Sequence, residues 1–422
     1  MKRHLLILGA SLLALQITAT AGGSADYVAH EWGTFTSVQG ADGVQLEWNP
    51  LLLTELPKFV YDRNRPLVNG RTVPPILLSK TALVSRQRLE TPVIYFYSKN
   101  ERVVDVTVKF PEGSVTEWYP QQSPLPRTIV KAGEPAARWQ KLHILADGEK
   151  VASLPTDTRG SHYFAARDTA ANLVKIEMPD AKTETEKFLF YRGVGLFEAP
   201  LKVTSDGMDA ETLHLSNTGP ESLGKLFVYE VRGSVARLGV VPAITPGDRQ
   251  TFAFPGNSEP MPLVRARADL VTQMQNALVA AGLYEREAAA MVKTWDDAWF
   301  AEQGLRVLYV LPRAWADRVL PLTIEPAPRQ IARVMVGRAE ILTPAMEKAL
   351  TIEVERYRTG DETTRAAAID NARSLRLGRF AEPAVRRLCL ADPKNRAFSN
   401  AAWELLYAAF APKPETTATA AR

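Results

Sequence analysis

The chain has 422 residues, with 51 lysines and arginines against 47 aspartates and glutamates, so its formal net charge is +4 at pH 7. Hydrophobic residues make up 46% and charged residues 23%, which is typical of a globular protein and excludes a disordered, collagen-like or coiled-coil chain. A single cysteine excludes an internal disulfide framework and a cysteine-rich zinc site. At about 150 residues per domain, this length predicts two or three domains.

Residues 1–21 have the pattern of a secretory signal peptide. Lys2 and Arg3 form a basic flank, an apolar segment covers 5–17, and Ala19-Thr20-Ala21 is a small-x-small cleavage site. The apolar segment is too short to span a bilayer of about 30 Å comfortably, although an uncleaved anchor is the alternative. We therefore predict an exported protein, periplasmic or extracellular, with no transmembrane segment after cleavage. Export and the weak net charge argue against nucleic acid as a partner.

Residues 22–255 are predicted to form an antiparallel, β-sandwich-like domain. Valines at 104, 106 and 108 alternate with polar residues, and this period of two is typical of a strand. Many short strands separated by frequent turn sequences favour a sandwich. A proline-marked segment at 50–75 is predicted to be a long loop. The predicted strands are 92–97, 104–110, 174–178, 187–191 and 226–232.

The pattern changes near residues 245–262, where proline, glycine and asparagine cluster and a domain boundary is expected. Residues 256–345 are predicted to form a helical hairpin followed by two strands, at 305–311 and 331–336. Apolar residues recur at helical spacing on both arms of the hairpin. They are Leu270, Met274 and Leu278 on the first arm, and Ala288, Met291, Val292, Trp295 and Trp299 on the second.

The last part of the chain is predicted to be helical, starting at Thr343-Pro344, where threonine can cap a helix and proline suits its first turn. Residues 346–411 are predicted to form a helical cap. Within it, 380–410 resemble one HEAT-type helical hairpin, and one unit predicts a cap instead of a solenoid. Residues 412–422 are predicted to be a disordered tail. The fold class is therefore α+β, with a β-sandwich-like region, a mixed α/β segment and a helical cap.

The most distinctive segment is His30-Glu31-Trp32-Gly33-Thr34-Phe35-Thr36. On a strand, His30 and Trp32 point to one face and Glu31 and Phe35 to the other, so His30 and Glu31 cannot bind one metal ion. Gly33 leaves room for a ligand or for another part of the backbone. Two interpretations stay open, a structural first strand and a site at the mouth of that strand.

The same heptad, just after a signal peptide, resembles the opening of a group of secreted bacterial proteins. Three further segments fit the same pattern, and together they cover most of the chain after the signal peptide. They are 89–97, Phe190-Tyr191-Arg192-Gly193-Val194-Gly195 and Trp295-Asp296-Asp297-Ala298-Trp299-Phe300. The resemblance implies export, and it implies no activity, cofactor or catalytic residue.

A second candidate site consists of charged residues within strand-like sequence, where each must be paired or exposed. These residues either join strands through arginine–carboxylate pairs or line a cleft for acid–base work on a polar substrate. The candidates are Glu90, Glu117, His162, Arg167 and Arg192. The arginines at 373, 376 and 379 are predicted to lie on a solvated helix face. If a site exists, we expect it in the β-rich half and at the His30 strand.

Serine-hydrolase, phosphate-binding-loop, zinc-protease and calcium-loop motifs are all missing from the sequence. The preferred function is therefore a secreted or periplasmic binding or assembly protein, whose partner is an extracellular polymer or another protein. The alternative is an extracytoplasmic hydrolase or lyase that acts on a polysaccharide or peptide polymer by carboxylate and histidine chemistry. Convergence of the candidate side chains on one cleft would favour the enzyme. The sequence indicates no particular cofactor or metal.

Overall fold

Strands make up most of the chain before residue 260, and α-helices are concentrated after it. The structure is a computed structural model that describes residues 25–50, 56–62, 84–124, 136–149, 153–157, 161–178, 182–254 and 260–410. The predicted signal peptide, the predicted tail and most of the predicted 50–75 loop lie outside these residues. Within them, no helix is long and apolar enough to cross a membrane.

Eighteen strands and eight α-helices are described. The strands are β1 (Ala25–Gly40), β2 (Tyr61–Asp62), β3 (Gln87–Ser98), β4 (Arg102–Lys109), β5 (Gly113–Tyr119), β6 (Ala136–Ile144), β7 (Val174–Glu177), β8 (Thr183–Glu186), β9 (Leu189–Gly195), β10 (Leu201–Asp206), β11 (Thr212–Asn217), β12 (Leu226–Arg232), β13 (Val235–Val241), β14 (Arg249–Ala253), β15 (Met261–Pro262), β16 (Gly304–Val310), β17 (Leu322–Glu325) and β18 (Pro328–Leu342). The helices are α1 (Leu263–Ala280), α2 (Glu285–Thr294), α3 (Asp296–Phe300), α4 (Arg313–Val319), α5 (Pro344–Thr359), α6 (Glu362–Ser374), α7 (Ala381–Ala391) and α8 (Arg396–Phe410), with short 3₁₀ helices at His162–Arg167 and Gly378–Phe380.

A mixed sheet of ten strands is the largest element, in the order β15-β13-β12-β16-β18-β1-β3-β9-β5-β2. β1 lies in its middle, parallel to β18 and antiparallel to β3. Two smaller sheets have the orders β10-β11-β14 and β17-β4-β6-β7-β8. β1 is a central strand, because it pairs with a neighbouring strand on each side. Its polar side chains, such as those of His30 and Glu31, are therefore buried.

Both faces of the ten-stranded sheet are covered. On one face, Phe35 belongs to a core that also contains residues of both smaller sheets, such as Val106 and Leu213. On the opposite face, Trp32 belongs to a core shared with helices α1 and α2, including Met274 and Met291. Successive side chains of a strand point to opposite sides, so β1 contributes to both cores. A third core joins β1 and the β1–β2 connection to helices α5–α8.

Gly33 allows β1 to pass close to β3. The register between these strands shifts between Trp32 and Thr34, which marks a bulge. A Cβ atom on Gly33 would lie 3.0 Å from the Cα atom of Pro92 on β3. Of the two predicted occupants of the space beside Gly33, a ligand or another part of the backbone, the structure shows the backbone of β3.

The structure confirms the mixed α/β class and the helical C-terminal region, and it confirms the predicted strands at 104–110, 226–232 and 305–311. Thr343 caps α5 as expected, since its side chain accepts a hydrogen bond from the backbone of Met346. Strands from both sides of the predicted boundary at 255 share the ten-stranded sheet, because β16 and β18 lie between β12 and β1. The boundary therefore does not separate two sheets.

Candidate functional site

A pocket of about 220 Å³ opens at the helix-covered face of the ten-stranded sheet. We call it the arginine pocket. It lies where β3 and β9 meet the 3₁₀ helix 162–167, the start of α3 and the 3₁₀ helix 378–380. Its lining residues are Arg88, Glu90, His162, Arg192, Trp295, Asp297, Ala298, Glu302 and Arg379.

Strand geometry brings the first charged residues of the pocket together. Arg88 and Glu90 are two positions apart on β3, so their side chains share one face of the sheet. They pair across the sheet with Thr36 and Thr34 of β1. Residues 34 and 36 share the face of Trp32, the side on which the helices pack. The alternation of side chains along β3 thus places Arg88 and Glu90 on the helix-covered face.

Glu90 is a buried and permanently ionised carboxylate. The Nη1 atom of Arg379 donates hydrogen bonds to both of its oxygens, at 2.8 and 2.9 Å, and Nε of Arg88 lies 3.9 Å away. Burial alone would raise the pKa of Glu90, but Arg379 and Arg88 outweigh burial and hold the pKa well below its usual range. Glu90 therefore acts as a fixed negative charge and cannot supply a proton near neutral pH.

The three arginines of the pocket are close enough to repel one another. Burial lowers the pKa of Arg88, Glu90 opposes this effect, and the charges of Arg192 and Arg379 lower it further, to about 10. Arg88 and Arg192 are almost fully buried, with 5% and 3% of their surface exposed. Arg379 also lies over the ring of Phe380, 5.0 Å from its centroid. The pocket lining thus combines three arginines with the buried carboxylate of Glu90 and with the carboxylates of Glu302 and Asp297.

A second ion-pair network supports the rim of the pocket. Glu302 accepts a hydrogen bond from Nη2 of Arg338 at 2.5 Å. Burial would raise the pKa of Glu302, but Arg379, Arg338 and Arg306 lower it to about 2. Arg306 and Arg338 both bind Glu340, at 3.1 and 2.8 Å. The charges of Arg306 and Arg338 equal those of Glu302 and Glu340, so this network has no net charge.

His162 lies at the start of its 3₁₀ helix and lines the pocket. Its Nδ1 atom is 2.6 Å from the backbone carbonyl oxygen of Thr294 and 3.5 Å from Oδ1 of Asp297. The imidazole stacks on Trp295, with ring centroids 5.4 Å apart and planes inclined by 23°. Trp295 itself is 2% exposed. The ring of His162 is therefore held by a hydrogen bond at one edge and by a buried indole at one face.

The other predicted site residues lie elsewhere. His30 pairs with Glu287 of α2 at 2.7 Å, and both are buried. On the opposite face of β1, Glu31 accepts hydrogen bonds from Arg333 at 2.5 Å and from Tyr191 at 2.6 Å. His30 and Glu31 thus face different cores, as the alternation predicted.

Two more predicted site residues are parts of local pairs. Arg167 binds Glu186 at 2.6 Å, with a further contact from Tyr163 to the same carboxylate at 2.9 Å. Glu117 is fully buried and lies opposite Arg192 in the register of β5 and β9. Neither Arg167 nor Glu117 lines the arginine pocket.

Three of the seven predicted site residues therefore converge on this pocket, namely Glu90, His162 and Arg192. The expectation that Arg379 lies on a solvated helix face is wrong, because its side chain is 14% exposed and binds Glu90. Arg376, three positions earlier, is exposed as expected. Arg88, Asp297, Glu302 and Arg379 were missed by sequence reasoning, and the only available signal was the position of Arg88 two residues before Glu90 on a buried strand.

Across residues 25–410, wherever the chain is described, no group of three or more histidine, cysteine, aspartate or glutamate side chains is arranged to hold a metal ion. A second pocket, of about 450 Å³, lies beside the His30 strand and is lined by Asp26, Tyr27, Tyr97 and Tyr284 among others. His30 is not among its lining residues, although its ring contacts Tyr97 and Tyr284.

No family model matches this chain, and no curated protein matches its sequence. Similar solved structures include the Fcho1 Mu homology domain of Danio rerio with bound Eps15 peptide, with a TM-score of 0.31 and 8% identity, covering 76% of this chain and 98% of that one. The yeast delta-COP-I mu-homology domain has a TM-score of 0.30 and 8% identity, with coverage of 76% and 98%. The same yeast domain in complex with a Dsl1 WxWxV peptide has a TM-score of 0.28 and 7% identity, with coverage of 76% and 99%. Similarity at this level assigns neither fold nor function.

Proposed function

We propose that this chain is an exported binding protein that holds a small anionic ligand, bearing at least one carboxylate, in the arginine pocket. The observation that carries the proposal is the grouping of Arg88, Arg192 and Arg379 around a pocket that is large enough for a ligand. Export rests on the signal-peptide pattern of the sequence. The ligand is either free or one acidic unit of an extracellular polymer.

The charges favour an anion. Arg88 and Arg192 are almost fully buried and the side chain of Arg379 is 14% exposed, whereas 71% of the Asp297 side chain is exposed at the rim. Water screens an exposed charge more than a buried one, so the three arginines act on a ligand in the pocket more strongly than Asp297 does.

Arg379 retains hydrogen-bonding capacity. Its Nε and Nη2 atoms are buried and have no hydrogen-bond partner within the described chain, and Oε1 of Glu302 lies 3.6 Å from Nε. A small rotation of this guanidinium would offer two parallel donors to a ligand. Guanidinium groups bind carboxylates in this bidentate way, and such charge-assisted hydrogen bonds are stronger than neutral ones.

The ionised state of Glu90 argues against hydrolysis by a pair of carboxylates. Such a mechanism needs one protonated carboxylic acid beside one carboxylate. Glu90 is held ionised by its arginines. Glu117 is fully buried on β5, opposite Arg192 of β9. We therefore place the binding function before hydrolysis by Glu90 and Glu117.

The size of the pocket limits the ligand. Its 220 Å³ is below the range of about 300–1,000 Å³ that is usual for drug-sized ligands. One sugar ring or one amino acid is a suitable occupant.

We also propose that the sheets pack in a sandwich-like way and that the C-terminal helices have a HEAT-like form. The core shared by all three sheets supports the sandwich-like packing.

Isothermal titration calorimetry of the exported form tests this proposal. We expect galacturonate, malate or glutamate to bind and neutral galactose not to bind, with an affinity that falls as salt is added. Arg379→Gln should weaken binding about 10-fold or more, the value of one charge-assisted hydrogen bond. Arg376→Gln is the matched control, since Arg376 is exposed, and it should bind like the parent. Equal binding of galactose, or no binding of any acid, would overturn the proposal.

A further inference from the structure

We infer that the arginine pocket is also a site of proton transfer, in which Nε2 of His162 takes a proton from the carbon atom next to the carboxylate of the bound ligand. This inference rests on the proposed anion binding and adds a reaction to it. The substrate class is a carboxylate with a hydrogen on its neighbouring carbon, such as a uronate, including a uronate unit of a polysaccharide.

The hydrogen bond to Thr294 selects the tautomer of His162. A carbonyl oxygen only accepts, so Nδ1 must donate across the 2.6 Å contact. In a neutral imidazole, the lone pair then resides on Nε2. Among the residues that the structure describes, none forms a hydrogen bond with Nε2, while the ring as a whole lines the pocket. The basic nitrogen of His162 is therefore the one available for a ligand.

The ring of His162 is also held in one orientation. Trp295 stacks on its face and is itself packed in the core, and Asp297 lies 3.5 Å from Nδ1. A carboxylate at that position stabilises the imidazolium that forms when Nε2 accepts a proton. A fixed base with a nearby counter-charge is the arrangement that general-base catalysis requires.

No other kind of side chain in the pocket lining is suited to this role. Arginine stays protonated in proteins, and arginines lower the pKa values of Glu90 and Glu302, so these carboxylates are poor proton acceptors. Asp297 lies at the rim, with 71% of its side chain exposed. Imidazole is the side chain that exchanges a proton between about pH 5 and 8. His162 and the three arginines line one pocket of about 220 Å³, and we infer that a ligand whose carboxylate contacts the arginines presents its neighbouring carbon to His162.

The chemistry balances without a further reactant. The proton of the C–H bond moves to Nε2, and the electron pair of that bond moves toward the carboxylate to give an enediolate, whose added charge the arginines stabilise. Return of the proton from Nε2 to the same face of the carbon restores the substrate. Where the next carbon carries an oxygen substituent, its C–O bond breaks, a carbon–carbon double bond forms, and the imidazolium proton leaves with the departing oxygen.

The test measures binding and proton exchange on the same samples. Galacturonate and malate are incubated in D₂O with the exported form, and NMR follows loss of the hydrogen next to the carboxylate, while calorimetry gives the affinity. We expect exchange with the parent protein. His162→Asn should bind normally and exchange at least about 100-fold more slowly, the usual contribution of a general base. The asparagine amide can keep the hydrogen bond to Thr294, so this variant should remain folded.

The outcomes separate the two proposals. Absence of binding overturns the proposed function. Binding without exchange in the parent protein, or unchanged exchange in His162→Asn, overturns the proton transfer and leaves the binding function standing. Arg376→Gln serves as the control that should exchange like the parent. Asp297→Asn should bind normally and exchange several-fold more slowly, because it loses the charge that stabilises the imidazolium.

Discussion

His30 and Glu287 are 257 positions apart in the chain, yet Nδ1 of His30 lies 2.7 Å from Oε2 of Glu287, and both side chains are buried. The same carboxylate accepts a hydrogen bond from Tyr97 of β3 at 2.7 Å and one from the backbone of Tyr284 at 2.8 Å. Glu287 thus ties the start of α2 to two neighbouring strands of the ten-stranded sheet. This arrangement favours a structural role for His30 over a role in ligand binding.

The first prediction concerns stability. His30→Ala should lower the free energy of unfolding by about 3 kcal/mol, because the buried Glu287 carboxylate loses one of its three hydrogen-bond partners. His143→Ala is the matched control, since His143 pairs with Glu101 at the surface, and it should cost less than about 1 kcal/mol. Thermal melts and chemical denaturation measure both. A stable His30→Ala variant that had lost ligand binding would instead make His30 a site residue.

Alternation along β1 allowed a correct prediction of which residues share a face, since period-two geometry is local to the strand. The same reasoning identified Glu90, His162 and Arg192 as charged residues in apolar sequence. It could not place Arg379, because the residue that it pairs with is 289 positions away and is reached only through the packing of the C-terminal helices. Arg376 and Arg379 look alike in sequence, and only the tertiary structure separates the exposed one from the buried one.

The second prediction concerns acid. The folded-state pKa values of Glu90 and Glu302 are lowered, so both carboxylates stabilise the fold above the usual glutamate pKa of about 4.3. This contribution should be lost as pH falls from there toward about 2, the folded-state pKa of Glu302. Denaturant titrations between about pH 6 and 3 should show stability falling with pH.

A variant tests the assignment of this acid dependence. Glu302→Gln should flatten part of the slope, whereas the control Glu404→Gln, at an exposed position on α8, should leave it unchanged. Identical slopes for Glu302→Gln and the parent would show that the arginines do not act on Glu302 as described.

The third prediction tests the close approach of β1 to β3. Gly33→Ala places a Cβ atom 3.0 Å from the Cα of Pro92, where backbone must move to make room. Overpacking of this kind should cost about 1–3 kcal/mol in denaturant titrations. Gly224→Ala is the control, because no atom lies within 4 Å of the added Cβ, and its stability should change little. Equal stability of the two variants would mean that the close approach of β1 to β3 does not require glycine at position 33.

The last prediction separates two roles for Glu90. As the counter-charge of Arg88 and Arg379, Glu90 competes with an anionic ligand for the same guanidinium groups. Glu90→Gln should therefore bind galacturonate about 10-fold more tightly, since removing one negative charge from a partly desolvated site is worth more than about 1.4 kcal/mol.

The same substitution should lower stability in the absence of ligand, because Arg88 and Arg379 lose the carboxylate that they share. Calorimetry and thermal melts on one preparation record both effects. Glu404→Gln is the control for affinity, since Glu404 is exposed on α8 and does not line the pocket, so its binding constant should change little. If Glu90→Gln weakened binding instead, Glu90 would have to contact the ligand directly as a hydrogen-bond acceptor, and the ligand would carry a donor group beside its carboxylate.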